Sequence, residues 1–204
     1  METSTCPGPS RTSPLGVWAR ATGWVPFLLG LLIVAEPGSA QDVEPDPLTP
    51  EVTEAFFHAL GNHFQVSLRE IRIIADWDLS PDEVPVVLFL SRRAGVSPDA
   101  LAGFRREGRE WLAVASVFGV GPRTLHLDLP REGDLGVLEE VYRQFRSLPT
   151  RGWDRIRLGD EEIVTLVNLR VLSRELELSP LDILRTKEEA GSFALSYTLL
   201  RNPS

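Results

Sequence analysis

Hydrophobic positions along most of this chain recur every three to four residues, the spacing that gathers them on one face of a helix. Thr49 followed by Pro50 reads as an N-cap with proline at the first helical position, where its missing N–H costs nothing. Val52, Ala55, Phe56 and Leu60 then predict a helix over 50–61. Ser67 and Glu70 form a capping-box pattern ahead of Ile71, Ile73 and Ile74. That second element is short and β-branched, so a strand stays open there.

Three helices follow with clear punctuation. The first starts around Ser80-Pro81-Asp82-Glu83 and runs to Ala94, where Gly95 is fitted to end it. Pro85 suits the first turn if Asp82 is the N-cap, but costs a hydrogen bond if Ser80 is. Its apolar run, Val86 to Leu90, also reads as a buried strand. The second helix opens at Ser97-Pro98 and closes at Gly108, and the third covers about 110–118 and stops at Gly119. Residues 124–129 alternate apolar and polar, which suggests a short extended segment. Another helix is expected over 134–145 on Leu135, Val137, Leu138, Val141 and Phe145, then a turn at 149–152.

The earlier pattern then returns. Shifted by 82 residues, Leu90, Ser91 and Arg92 fall on Leu172, Ser173 and Arg174, Ser97-Pro98 on Ser179-Pro180, and Glu107 on Glu189. Conservative pairs add Val96 with Leu178, Leu101 with Ile183, Arg105 with Lys187, and Trp111 with Phe193. Gly108 meets Gly191 only if one residue is inserted. Residues 162–175 are long for a strand and carry no turn residue, so they read as helix, and the repeat carries the same reading to Val86–Leu90. The fold class predicted is all-α: two copies of a compact three-helix, helix-turn-helix-like unit plus accessory helices. The N-terminal unit would span 49–130, with its repeat at about 80–119, and the C-terminal unit 131–204, with its repeat at about 160–201. Units this small bury little surface alone, so the two are expected to pack together. The shared positions Ser97, Pro98, Gly108 and Trp111, and Ser179, Pro180, Gly191 and Phe193, read as structural anchors.

This pattern resembles that of exported bacterial proteins with S-P-x-x-[IL]…R-x-x-G-x-[SW]-[FW] helical units, over roughly 80–200. The residues concerned are Ser97, Pro98, Leu101, Arg105, Gly108 and Trp111, then Ser179, Pro180, Ile183, Lys187, Gly191 and Phe193. The resemblance implies no activity, and no catalytic role comes with it.

The first forty residues differ in kind. Arg11 and Arg20 supply positive charge, and residues 22–35 are apolar and uncharged. A membrane span needs about 20 apolar residues, a signal-peptide core roughly 7–15. Pro37 and Gly38 break the run, and Gly38-Ser39-Ala40 offers small residues for cleavage. Residues 1–40 are therefore expected to be a signal peptide cleaved near Ala40, with a true start near Val17 also open. The location expected is periplasmic or secreted; the alternative is an inner-membrane anchor that stays uncleaved. Residues 41–48, with three acids and two prolines, read as an acidic linker.

Composition narrows the chemistry. Cys6, the only cysteine, precedes the expected cleavage site, so the exported chain has no disulfide, thiolate site or thiol nucleophile. Lys187 is the only lysine among 21 basic residues, as a GC-rich genome favours. Removing Glu2, Glu36, Arg11 and Arg20 from the totals leaves 27 acidic and 19 basic residues. That balance works against nucleic acid and anionic lipid.

Each candidate site meets a plainer reading. A helix-turn-helix would offer its last helix to the major groove, but 110–118 has no base-reading Arg, Asn or Gln, and 192–200 is no better. Asp76, Asp78, Ser80 and Asp82 are spaced like the start of a calcium loop, yet Pro81 and Val87 stand where Gly and Glu are required. His58 and His63 are five apart rather than four, and His126 is remote. No G-x-S-x-G setting activates a serine. Glu139-Glu140 and Glu161-Glu162 read as solvated or capping acids, Gly119-Val120-Gly121 as a helix-ending turn, and Trp77, Trp111 and Trp153 as core anchors. No catalytic residue, metal or cofactor is predicted. Arg92, Arg93, Arg105, Arg106 and Arg109 cluster in one unit. They form either a surface salt-bridged to Glu107 and Glu110 or an acceptor patch for an acidic partner. The expectation is an exported interaction or structural protein of the cell envelope, its partner an envelope protein or an acidic glycan. The alternatives are an envelope enzyme or substrate-binding protein with a scattered site and, more remotely, a nucleic-acid binder.

Overall fold

A computed structural model describes residues 48–202. The expected signal segment, its cleavage site and residues 41–47 of the linker lie outside them. Among the described residues all regular structure is helical and no strand occurs. The chain is all-α.

Helix α1 (Pro50–Phe64) starts where proline was expected, with the Thr49 hydroxyl accepting from the Val52 N–H, and ends three residues beyond the predicted 61 at a left-handed Gln65. In α2 (Leu68–Ala75) the Ser67–Glu70 capping box forms. Ile71 and Ile74 are buried while Ile73 is 46% exposed, so the apolar face follows helical rather than strand spacing. Ser80 caps a 3-10 turn, Pro81–Glu83, whose Glu83 carboxylate accepts from the Ser80 N–H and hydroxyl. This turn resolves the Pro85 problem: Ser80 begins the turn, and Pro85 still falls in the first turn of α3 (Val84–Ala94). Val84 to Leu90 are all buried. A helix covered on every side has no polar face to mark its period, which is why this run resembles a strand in sequence.

The rest of the N-terminal half is α4 (Pro98–Arg106), α5 (Trp111–Val117) and α6 (Pro122–Leu125). The alternating 124–129 segment is thus partly helical, and it forms no sheet. α7 runs Glu139–Ser147 after a 3-10 turn at Gly136–Leu138, not from 134. Gly136 sits at φ +48°, in the left-handed region, with its N–H held by the Asp134 carboxylate at 2.9 Å, so the α-helix begins only after it. A second 3-10 turn, Thr150–Arg155, occupies the expected turn.

Helix α8 (Asp160–Leu176) is the centre of the molecule. It buries Ile163, Leu166, Val167, Leu169, Val171 and Leu172 together with the polar Thr165 and Asn168. α3 packs along it, as do α9 (Pro180–Ala190) and parts of α1, α5, α6 and α10 (Phe193–Arg201). The core is therefore continuous from α1 to α10.

Two local features recur at the 82-residue offset. α3 and α8 stop at left-handed Gly95 (φ +67°) and Glu177 (φ +54°). α5 and α10 start at Trp111 and Phe193, both fully buried. The helix ends are also exchanged between the halves. The Asp82 carboxylate, before α3, accepts from Phe193 N–H (2.9 Å) and Ala194 N–H (3.1 Å) at the start of α10. The Asp160 carboxylate, first in α8, accepts from Trp111 N–H (2.6 Å) at the start of α5.

Candidate functional site

The five arginines singled out from sequence do not form one patch. Arg105 turns inward, to Glu83 at 2.8 Å and Asp160 at 2.6 Å, with its guanidinium 5.1 Å from the Trp111 ring. Arg106 is exposed, and Arg109 lies over Phe104 and pairs with Glu107 at 3.2 Å. Arg92 and Arg93 point elsewhere, to the far end of α3. The structural anchors are spread through the fold: Ser97, Pro98, Ser179 and Pro180 open α4 and α9, while Gly108 and Gly191 take positive φ beyond them.

Around Arg92 and Arg93 the last turns of three helices meet. α1 brings His63 and Phe64, α3 brings Phe89, Arg92 and Arg93, and α8 brings Arg170 and Arg174 to a cavity of about 310 Å3. Sequence spacing does not group Arg170 and Arg174 with Arg92, because they lie 78 and 82 residues further on and only the packing of α3 on α8 joins them. One signal was present: Arg92 and Arg174 coincide at the 82-residue offset. The Arg93 and Arg170 guanidiniums flank the Phe89 ring at 5.6 and 5.1 Å.

Among the described residues Arg92, Arg93, Arg170 and Arg174 make no ion pair. Glu175, beside Arg174, is held instead by His63 Nδ1 at 3.0 Å. Arg170 is the deepest of the four. Its Nη2 donates to the carbonyls of Leu125 (3.1 Å) and His126 (2.7 Å), while Nη1 is buried with no acceptor. Desolvation, and then the charges of Arg93 and Arg174, pull its pKa below the ordinary arginine value. A buried donor left without an acceptor costs about 1–3 kcal/mol.

No protein-family model, curated protein or solved structure matches this chain. Its own geometry therefore carries the argument about function.

Next to the arginine cleft lies a mostly apolar groove of about 470 Å3 between α2, α3 and α4, lined by Phe64, Ile73, Trp77 and Leu88 with the acids Glu70 and Asp99 beside Arg92. Phe64 and Arg92 line both hollows, so the two adjoin. A third cavity, about 320 Å3, sits where the halves join and contains Asp82, Glu83, Arg105, Asp160, Glu161 and Lys187. Its charged groups already serve one another or helix ends. Burial raises the Asp82 pKa despite the two N–H bonds it accepts. Burial also acts on Glu83, but the Ser80 N–H, Arg105 and Trp111 together outweigh it and hold Glu83 below the usual carboxylate value.

The three histidines lie apart. His58 is exposed on α1, His63 pairs with Glu175, and His126 packs against Trp153 (4.3 Å) and Phe145 (4.7 Å). Among the described residues no group of three His, Cys, Asp or Glu side chains gathers around a possible metal position.

Proposed function

We propose that this protein is an exported, non-enzymatic interaction protein of the cell envelope, with the arginine cleft and its adjoining apolar groove as the binding face. The observation that carries this reading is the set of four arginines without a carboxylate partner around one cavity. The chain has a net charge of −8 and many acids on offer, yet none of these four arginines is paired with one. An acidic protein or a carboxylate- or phosphate-bearing glycan of the envelope fits such a face. The apolar run at 22–35 and the small residues at 38–40 support export. Among the described residues no helix is long and apolar enough to cross a membrane.

Duplication of a three-helix unit is part of the same proposal. The matched left-handed ends of α3 and α8, the Ser-Pro starts of α4 and α9, and the aromatic starts of α5 and α10 support it. So do the paired cation–ring contacts, Arg105 over Trp111 at 5.1 Å and Lys187 by Phe193 at 5.9 Å.

Fractionation and capture test the reading together. The chain is expected in the envelope or medium with its first forty residues removed. Partners captured there should be lost when Arg92, Arg93 and Arg174 are changed to Ser. Full-length protein confined to the cytosol, or capture indifferent to the three substitutions, would sink it.

A further inference from the structure

The lining of the arginine cleft carries positive charge and no carboxylate, and that composition points to a ligand chemistry. Four guanidiniums line the cavity. Glu175, next to Arg174 in sequence, is held by His63 rather than by an arginine. The C-termini of α1, α3 and α8 end at the cleft, and each helix end carries roughly half a negative charge. Glu70 and Asp99 line the neighbouring groove beside Arg92, so the positive charge is concentrated on the Arg93, Arg170 and Arg174 side of the cavity. The helix ends account for cations at the exposed positions of Arg92, Arg93 and Arg174, but not for the half-buried Arg170, whose buried Nη1 has no acceptor.

We infer that this cleft is a binding site for a phosphate group, free or as a phosphomonoester. Charge decides for phosphate over carboxylate. A phosphomonoester carries about −1.5 to −2 near neutral pH and so answers more than one guanidinium, whereas a carboxylate carries one charge. Donor geometry agrees. Guanidinium forks pair with oxyanions two bonds at a time, and here they come from two helices, α3 and α8. Donors converging from several directions serve three terminal oxygens of a tetrahedral group better than the two of a planar one. The inference rests on the reading that the arginine face is the binding face.

Titration of the intact chain with inorganic phosphate, at ionic strength held constant with chloride, tests it by calorimetry and thermal denaturation. Saturable heat is expected, with a midpoint that climbs with the logarithm of phosphate concentration, as a ligand specific for the folded state requires. Acetate should bind at least about tenfold more weakly, a difference of about 1.4 kcal/mol. The double variant Arg93→Ser/Arg174→Ser, at two exposed positions, should lose about tenfold in phosphate affinity while keeping its circular dichroism spectrum. Arg106→Ser, outside the cleft, should keep full affinity. Cosedimentation with phosphatidylcholine vesicles containing phosphatidate, competed away by free phosphate, would assign a lipid headgroup as the source. Phosphate binding without cosedimentation would assign a soluble one. A response to phosphate no larger than to chloride or acetate, or one unchanged in the double variant, overturns the inference. If partner capture still depends on the arginines in that case, the broader reading stands and only the phosphate chemistry is wrong.

Discussion

Trp111 is fully buried at the first position of α5, and its indole Nε1 donates to Glu83 at 3.0 Å. Phe193 holds the same place in α10, also without exposure. Large aromatic-to-alanine changes in such positions cost about 3–5 kcal/mol, so Trp111→Ala and Phe193→Ala should each lower stability by that amount in urea denaturation. A neutral result at both would remove them as anchors. The neighbouring carboxylates Asp82 and Glu83 should respond to acid in opposite directions. Glu83 is held below its ordinary value of 4.5, so it stabilises the fold above that pH and the contribution is lost as pH falls through the folded pKa. Asp82 is raised above 3.8 by burial, so the fold binds its proton more tightly than the unfolded chain does, and its protonation stabilises the fold as pH falls toward 3.8. Denaturation midpoints from pH 7 downward check both (about neutral to acid). Glu83→Gln should be less stable than the parent at neutral pH, with the gap closing in acid. Against Asp82→Asn, the parent should gain as pH falls. The 82-residue register in the sequence marked Trp111 and Phe193, but the roles of Asp82 and Glu83 were legible only as local caps. Their partners lie 111 and 28 residues away across the fold.

At the scale of elements, the helix ends show how the halves are tied. The first N–H groups of a helix have no partner within it, and a carboxylate from elsewhere can supply one and also meet the positive end of the dipole. Asp82 does this for α10 and Asp160 for α5. Ser192 completes α10 by accepting from the Leu195 N–H at 3.1 Å. α5 has no such help: Glu110, its own N-cap residue, makes no side-chain cap. Asp160→Ala should therefore cost about 0.5–2 kcal/mol, as lost N-caps do, and it also takes a partner from Arg105. The loss should appear as faster amide hydrogen exchange in α5 ahead of α9 or α10. Uniform exchange across all three would argue against a local cap. Helix positions were readable from Ser-Pro and Gly punctuation, and the doubtful cases have physical reasons. The runs at 71–74 and 84–90 carry β-branched residues, and the second lies inside the core, where periodicity disappears. The start of α7 was misplaced because Gly136 adopts a left-handed conformation that its neighbours do not announce.

For the whole molecule, the question is whether the halves are independent. α3 buries seven consecutive residues, Val84 to Leu90, and much of their cover comes from α8 in the other half. α8 in turn packs against α1, α3, α5 and α6 as well as α9 and α10. Small helical units depend on such mutual burial, since a short chain hides too little apolar surface to offset its ordering entropy. The chain should accordingly unfold as one unit, with circular dichroism and tryptophan fluorescence tracing the same urea transition. Tryptophans 77 and 111 report on the first half and 153 on the second, so separable halves would split the two signals. Residues 48–130 made alone should show weak helicity and no cooperative transition, because α5 loses its Asp160 cap and α3 its cover. A sharp transition in that fragment would mean that the halves fold separately. The arginine cleft would then be an interface between two domains, because Arg92 and Arg93 belong to one half and Arg170 and Arg174 to the other. In a single cooperative core the two helices that carry the four arginines are instead fixed before any ligand arrives. The proposed anion would then bind without first ordering the backbone, which lowers the entropic cost of association.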